Sequence, residues 1–415
     1  MTSRQAAVMA LFEVENSGAY SDKALKKILG EGNMPPAEKA LASELTYGVI
    51  RHKMRIDFII QAYSTQKLKR LSLWILCILR VGIYQIFFLD KIPESAAVNE
   101  SVKLAKRYGH EASARFVNAV LRAAAKGGEV KIPSDEIYYS HPQWLVEMLK
   151  EQYPGDYKKI LEANNTPAPM TIRANTLKTT PQKLCEALTG KGINAVADGD
   201  IITLSKPGDI AALDEYKQGL FIPQDKGAYL AAAALSPEQG DLIIDVCAAP
   251  GAKTTQLAQM TQDKARIIAF DIHPHKIKLI QKNAERMGIR SITAMVHDAA
   301  LVCGEYTGKA DRVLADVPCS GLGTIRKKPD IKWRKNPDDI RQIIDIQKKI
   351  LRASSRYVKK GGILVYSTCT YNKEENEYVI EDFLKNAPFE KTMQQQLMPH
   401  TDDCDGFFIC RLKRK

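Results

Sequence analysis

The sequence contains no C-x-x-C pair and no group of histidines at zinc-ligand spacing. Its eight cysteines, at positions 77, 185, 247, 303, 319, 369, 404 and 410, therefore indicate neither a structural zinc site nor a disulfide framework. Free thiols fit a reducing cytoplasm. Long hydrophobic runs are missing as well. The longest apolar stretch, Leu71 to Leu89, is interrupted by Arg80, Gly82 and Gln85, which predicts a buried helix pair rather than a membrane span. At the start, Met1-Thr2-Ser3-Arg4 and a brief apolar run stopped at Glu13 are too short and too polar for a signal peptide. Internal repeats and low-complexity tracts are also lacking. The expectation is a cytoplasmic monomer with no metal and no membrane partner.

What is present is a chain of 415 residues, more than one core usually serves, so two or three domains are expected. Hydrophobic residues make up 45% and charged residues 26%, the balance of a globular protein. The net charge of +12 favours a polyanionic partner without naming one, and a merely basic enzyme would carry it too. The surplus is uneven. Residues 1–130 hold 19 Lys and Arg against 12 Asp and Glu, more than half of the excess in under a third of the chain, so a basic amino-terminal module is expected.

Up to residue 127 apolar residues recur at three and four spacing, over Arg4–Glu15, Ala37–His52, Ile56–Tyr63, Leu71–Leu89, Glu94–Tyr108 and Ser113–Ala125. That periodicity predicts helices, and Lys126-Gly127-Gly128 reads as a helix stop. The segments Pro93-Glu94-Ser95-Ala96-Ala97-Val98-Asn99-Glu100-Ser101-Val102 and Arg115-Phe116-Val117-Asn118-Ala119-Val120-Leu121-Arg122 resemble the RNA-binding NusB family of antitermination factors. The resemblance implies an all-α domain over residues 1–127, either binding RNA or serving as a scaffold. Residues 128–220 mix short helices with strands at Met170–Ala174 and Asp200–Leu204, a small α/β linker domain. Its Arg173 and Asn175 can meet phosphates or sugars, or can end a strand and cap a helix.

From 221 to 415 strands and helices alternate, the signature of a Rossmann-like α/β domain. Strand Leu242–Val246 leads through Cys247-Ala248-Ala249-Pro250-Gly251-Ala252-Lys253 into a helix at Thr254–Met260. Strand Ala265–Phe270 ends in Asp271 before a helix at Pro274–Met287, strand Ile292–Val296 ends near Asp298, and Gly406–Leu412 reads as a late strand near the sheet edge. The loop is not the G-x-G-x-x-G of dinucleotide folds, and Ala252 stands where a Walker loop needs glycine before lysine. What remains is a small-residue loop followed by carboxylates at successive strand ends. Asp271 can accept both hydroxyls of a ribose, and Asp298 can take an exocyclic adenine amine. That layout describes a site for S-adenosylmethionine, with Asp316 as a further contact.

Two more strand ends carry thiols. Arg312–Ala315 runs into Asp316-Val317-Pro318-Cys319-Ser320-Gly321, and Ile363–Tyr366 runs into Ser367-Thr368-Cys369-Thr370. Both cysteines thus emerge at the carboxyl edge of an open sheet, where ligands bind. Together with the cofactor loop, Asp271, Asp298 and Glu374-Glu375-Asn376-Glu377, these motifs fall in an order that resembles the Nop/Sun family of RNA cytosine-5 methyltransferases. Val317 where alanine is usual and Ala252 where glycine is usual are small departures that leave every polar group in place. With the NusB-like front, the resemblance implies methylation of a cytosine in 16S ribosomal RNA. Transfer RNA or another rRNA site is the close alternative, and a noncatalytic antitermination protein is the alternative of a different class.

The chemistry explains why two cysteines are wanted. Carbon 5 of cytosine is a poor nucleophile, so a thiolate first adds to carbon 6, and later the carbon-5 hydrogen and the thiolate must leave. Spacing alone does not say which cysteine attacks; the resemblance assigns attack to Cys369 and release to Cys319. A free thiol is only a few per cent ionised at pH 7, which nominates Lys253 as a source of positive charge, while Asp316 would hold the cytosine edge. Residues 326–335 hold six basic side chains in ten and an indole. Arg326, Lys327, Lys328, Lys332 and Trp333 read there as phosphate contacts with base stacking, or as a solvated loop. Asn372-Lys373-Glu374-Glu375 reads as an N-cap with an acidic first turn.

Overall fold

The helical periodicity of the front becomes helices at Ser3–Ser17, Pro36–Arg51, Lys53–Tyr63, Leu73–Phe88, Glu94–Tyr108 and Glu111–Gly127, with one more at Ser21–Glu31. The computed structural model describes residues 1–31, 34–128, 130–205 and 207–415. They divide into one unit of residues 1–166 with 327–334, and another of 167–326 with 335–415. In the first, Leu45, Ile56, Ile60, Ile78, Leu79 and Leu121 are buried in one core. The stretch expected as a helix pair is the single helix Leu73–Phe88. Its Arg80 is neutralised inside the bundle, donating from Nε and Nη2 to the two Asp57 oxygens at 2.7 and 2.8 Å, with Glu15 at 3.2 Å. Among the described residues, no helix is long and apolar enough to cross a membrane.

The middle of the chain falls across both units. Helices Asp135–Tyr139, Gln143–Gln152 and Tyr157–Asn164 belong to the first unit, while the strands that follow belong to the second.

Residues 327–334 also belong to the first unit, where they act on helix ends. Helix termini leave backbone groups without intrahelical partners, with excess carbonyls and partial negative charge at the C-terminus and the reverse at the N-terminus. Lys332 Nζ donates to Arg51 O at 2.7 Å and Trp333 Nε1 to Ile50 O at 2.8 Å, at the end of helix Pro36–Arg51. Arg334 donates to Gly18 O at 2.7 Å and to Ala19 O, past the end of helix Ser3–Ser17. Asp330 accepts from Ser21 N at 3.3 Å and Ser21 Oγ at 3.0 Å, at the start of helix Ser21–Glu31. Arg334 and Asp330 carry the sign of charge their helix ends favour, and Lys332 and Trp333 act as hydrogen-bond donors to orphan carbonyls. The expectation of phosphate contacts and base stacking is therefore corrected for Lys332, which is fully buried, and for Trp333, which packs on the helical core. Lys327 and Lys328 are exposed.

The second unit holds two sheets. Strands β1 (Met170–Ala174), β2 (Asn194–Asp198), β3 (Ile201–Ser205) and β4 (Phe221–Pro223) pair antiparallel in the order β2-β3-β1-β4, and helix Pro181–Gly190 covers their core with Leu184 and Leu188. The larger sheet contains β5 (Leu242–Asp245), β6 (Arg266–Asp271), β7 (Ile292–Val296), β8 (Ala310–Asp316), β9 (Val358–Thr368), β10 (Phe389–Leu397) and β11 (Phe407–Arg414), in the order β10-β11-β9-β8-β5-β6-β7. Strands β5 to β9 are parallel, and β11 and β10 are added antiparallel. The late strand β11 lies one place in from the edge, covered by β10. The chain runs from β5 outward to β7 and then returns to β8 on the other side of β5. A crevice opens at the carboxyl ends where strand order reverses in this way.

Arg173 and Asn175 are both fully buried, which corrects the reading of them as RNA contacts. Arg173 donates to Ala252 O at 2.8 Å, Thr255 Oγ1 at 3.1 Å, Gln259 Oε1 at 3.2 Å and Gln224 Oε1. Asn175 Nδ2 donates to Gly219 O and Met287 O, both at 2.9 Å, the latter at the end of helix Pro274–Met287. Arg326 is buried too, donating to Pro167 O at 3.0 Å.

Burial, and then the charge of Arg51, hold the Lys332 amine well below the ordinary lysine range. An unfolded chain binds that proton more readily, so this residue makes stability rise with pH up to its unfolded value of about 10.4. Lys332→Met should remove that slope in urea titrations between pH 7 and 10. At pH 9 it should cost about 1–3 kcal/mol through the stranded Arg51 carbonyl. An unchanged unfolding midpoint at every pH would contradict the capping role.

Candidate active site

The crevice is a cleft of about 350 Å³ lined by Val246, Cys247 and Ala249 after β5, Asp271 and Ile272 after β6, Asp298 and Ala299 after β7, Asp316 to Cys319 after β8, and Cys369 after β9. Helix Pro274–Met287 contributes Lys276, and helix Pro337–Ser355 contributes Ile346 and Ile350.

Buried Ile243 and Ile244 hold β5 in the core, and the chain then turns sharply. Ala248 N donates to Phe270 O at 2.8 Å and Gly251 N to Ala248 O at 2.7 Å. Gly251 has φ +103°, a conformation that favours glycine, and a Cβ there would also stand tightly at 3.3 Å from the backbone of Ile280. Ala252 opens the following helix, which absorbs the departure from the usual glycine without strain. Of the expected loop, Cys247 and Ala249 line the cleft, Ala248 lies beneath it, Pro250 is exposed, and Lys253 points to Asp316.

The carboxylates are held by their own loops. Asp271 Oδ1 accepts from His273 N at 3.1 Å and has Lys276 Nζ at 3.6 Å, and Asp298 Oδ1 accepts from Ala300 N at 2.9 Å. Asp316 is fixed from two sides, by Lys253 Nζ on Oδ2 at 2.5 Å and by Ser367 Oγ on Oδ1 at 2.8 Å. Burial alone would depress Lys253, but Asp316 and, behind it, Asp245 keep it protonated. Asp245 accepts from Thr254 Oγ1 at 2.7 Å, and burial with the nearby Asp316 charge pushes its carboxyl up to about 7.

The two sulfurs meet. Cys319 Sγ and Cys369 Sγ lie 3.1 Å apart, and both are free thiols. A hydrogen bond with Cys369, then burial, then the charges of Cys369 and Glu375 push the Cys319 thiol well above its usual range. The backbone closes over them, with Gly323 N donating to Cys369 O at 3.0 Å and Gly406 N to Gly323 O at 2.9 Å. Cys247, raised by burial and by Asp245, Asp316 and Asp271, is kept a neutral thiol. Sequence reasoning did not single out Lys276, Ser320 or Gln347; only Lys276 carried a signal, as a cation in the first turn of the helix after Asp271.

Over 99% of its length this chain is 35% identical to the probable ribosomal RNA small subunit methyltransferase B of Bacillus subtilis, covering 98% of that protein. The chain belongs to the RsmB/F family of 16S rRNA methyltransferases. The RsmB/F family model matches residues 232–413, the NusB family model residues 1–126, and a ferredoxin-like domain model of RsmF/B-like methyltransferases residues 141–211. A ribosomal RNA small subunit methyltransferase B of Vibrio cholerae is 34% identical over all of this chain and 98% of its own. The crystal structure of PH0851 superposes with a TM-score of 0.83 at 26% identity, covering 99% of this chain and 98% of that one.

For an RsmB/F methyltransferase the cofactor is S-adenosylmethionine, and the cleft suits it. Apolar walls from Val246, Ala249, Ile272 and Ile350 fit a nucleoside, Asp271 and Asp298 offer acceptors for ribose and adenine, and the carboxylates suit a sulfonium cation. Asp271→Ala should weaken cofactor binding by about 1.5–3 kcal/mol, because a buried charged acceptor is lost. Unchanged affinity by calorimetry would remove Asp271 from the cofactor site.

Proposed function

We propose that this chain methylates carbon 5 of a cytosine in 16S ribosomal RNA, with Cys369 as nucleophile and Cys319 serving release. The observation that carries the reading is the pair of thiols 3.1 Å apart within a methyltransferase cleft. Transfer to a nitrogen or oxygen atom needs no thiol. Addition at carbon 6 needs one, and regeneration of the aromatic ring needs a second group.

In the proposed sequence the Cys369 thiolate forms a bond to carbon 6, and the electron pair displaced from the ring double bond makes carbon 5 nucleophilic. S-adenosylmethionine, when bound, supplies an electrophilic methyl group. The carbon-5 proton then passes to a water molecule, its bonding electrons restore the double bond, and the carbon–sulfur bond breaks to return the Cys369 thiolate, with the Cys319 S–H donating to the departing sulfur from its place 3.1 Å away. Asp316, immobilised by Lys253 and Ser367, is set to meet the cytosine edge. Its rigidity favours orientation, because no side-chain freedom is lost when the base arrives. Cys319 faces Glu375, and its thiol is held well above the usual range.

Each variant, incubated with target RNA and S-adenosylmethionine and run on a denaturing gel, tests this division. Cys319→Ala should leave protein bonded to RNA, since attack proceeds and release stalls. Cys369→Ala and the double variant should give neither adduct nor methylated RNA. An adduct with Cys369→Ala alone would move the nucleophile to Cys319, and no adduct with either would remove the covalent route.

A further inference from the structure

Glu375 lies in a segment whose composition reads as a solvated helix start, yet its side chain is fully buried and the helix begins only at Glu377. Its carboxylate accepts from Ser320 N at 2.7 Å, Ser320 Oγ at 2.5 Å, Gln347 Nε2 at 3.1 Å and Asn372 Nδ2 at 3.3 Å. All four donors are neutral. Two belong to the residue next to Cys319, one belongs to the turn after Cys369, and Gln347 also donates to Pro318 O at 3.0 Å. The backbone is tied as well, since Tyr366 OH donates to Glu375 O at 2.7 Å. Burying a carboxylate on neutral donors alone is costly, and a neutral residue of the same shape could fill the space. Burial raises the Glu375 carboxyl above its ordinary range, and the bonds from Ser320, Gln347 and Asn372 oppose that shift, so an acid kept at this position needs an explanation.

We propose that Glu375 is a positioning residue: its carboxylate clamps the Cys319 turn to the Cys369 turn and sets a negative charge beside the Cys319 sulfur. The groups facing Cys319 are Cys369 at the end of β9, Glu375 from the loop beyond it, and Tyr366 within β9. The nearby cations are engaged elsewhere, Lys253 by Asp316 at 2.5 Å and Lys276 by Asp271 at 3.6 Å. Negative charge is thus disfavoured at Cys319, which leaves its S–H free to donate toward the Cys369 sulfur across 3.1 Å. The inference rests on the division of labour proposed above and explains how two adjacent thiols acquire different roles.

The test uses the full-length protein and Glu375→Gln, which keeps the shape and removes the charge. In a Cys369→Ala background, iodoacetamide alkylation of Cys319 is followed by peptide mass spectrometry across pH. Without the neighbouring charge the half-point should fall by about one pH unit, making alkylation near pH 8 roughly tenfold faster. An unchanged profile overturns the charge role, and this arm does not depend on which cysteine attacks. In the RNA gel assay, Glu375→Gln alone should accumulate adduct as Cys319→Ala does. Parallel loss of adduct and methylation, in protein that still melts cooperatively and binds S-adenosylmethionine, overturns the positioning role. If Glu375→Gln fails to fold, Ser320→Ala takes its place, keeping the charge while losing one strut. It should leave the alkylation profile in place and trap a smaller fraction of adduct; trapping no adduct overturns the clamp. Absence of adduct with Cys319→Ala itself would instead reject the nucleophile assignment.

Discussion

Asp316 stands opposite Ser367 where β8 pairs in parallel with β9, and from that rung the rest of the site follows. Ser367 Oγ donates to Asp316 Oδ1 at 2.8 Å, and Val317 N continues the ladder to Ser367 O at 3.0 Å. Three residues beyond the rung on one strand is Cys319, and two beyond it on the other is Cys369. Their sulfurs meet because the register is this one. Slipping either strand by a single residue would turn its side chains to the opposite face, parting the thiols and taking Asp316 from Lys253. The turns above the rung allow no slack. A Cβ on Gly323 would come within 1.8 Å of Gly406 O, so that strand-end loop and the β11 entry can close only with glycine between them.

Much of this was legible in the sequence, and the reason is local. Buried parallel strands are short apolar runs, and the residues that end them, Asp271, Asp298, Asp316, Cys319 and Cys369, follow directly. Every one of those five lines a single cleft. The failures share a physical cause, partners distant along the chain. Lys332, Trp333 and Arg334 have the composition of an RNA patch, but their donors serve carbonyls of helices roughly three hundred residues earlier. Arg173 and Asn175 were open between two readings, and burial decides for the structural one. Strand β10 escaped notice because its exposed edge position needs few apolar residues, and Phe389-Glu390-Lys391-Thr392-Met393-Gln394-Gln395-Gln396-Leu397 has little of the hydrophobic signal. Glu375 looked like a first-turn carboxylate because its decisive donor, Ser320, stands 55 residues away.

The charges of the cleft set a conflict that the thiols resolve. Four carboxylates, Asp245, Asp271, Asp298 and Asp316, face it or lie just beneath, against Lys253 and Lys276. Such a field favours a cationic methyl donor but opposes any thiolate, since like charges in a poorly hydrated site repel strongly. Cys247 shows the opposition undiluted. Surrounded by Asp245, Asp316 and Asp271, it stays neutral and can serve as an uncharged wall. The protonated Lys253 is the local counterweight, and it is held between Asp316 and the ring of Phe407, 5.6 Å from its ammonium. An acidic neighbour such as Glu375 adds to the field that opposes ionisation of Cys319.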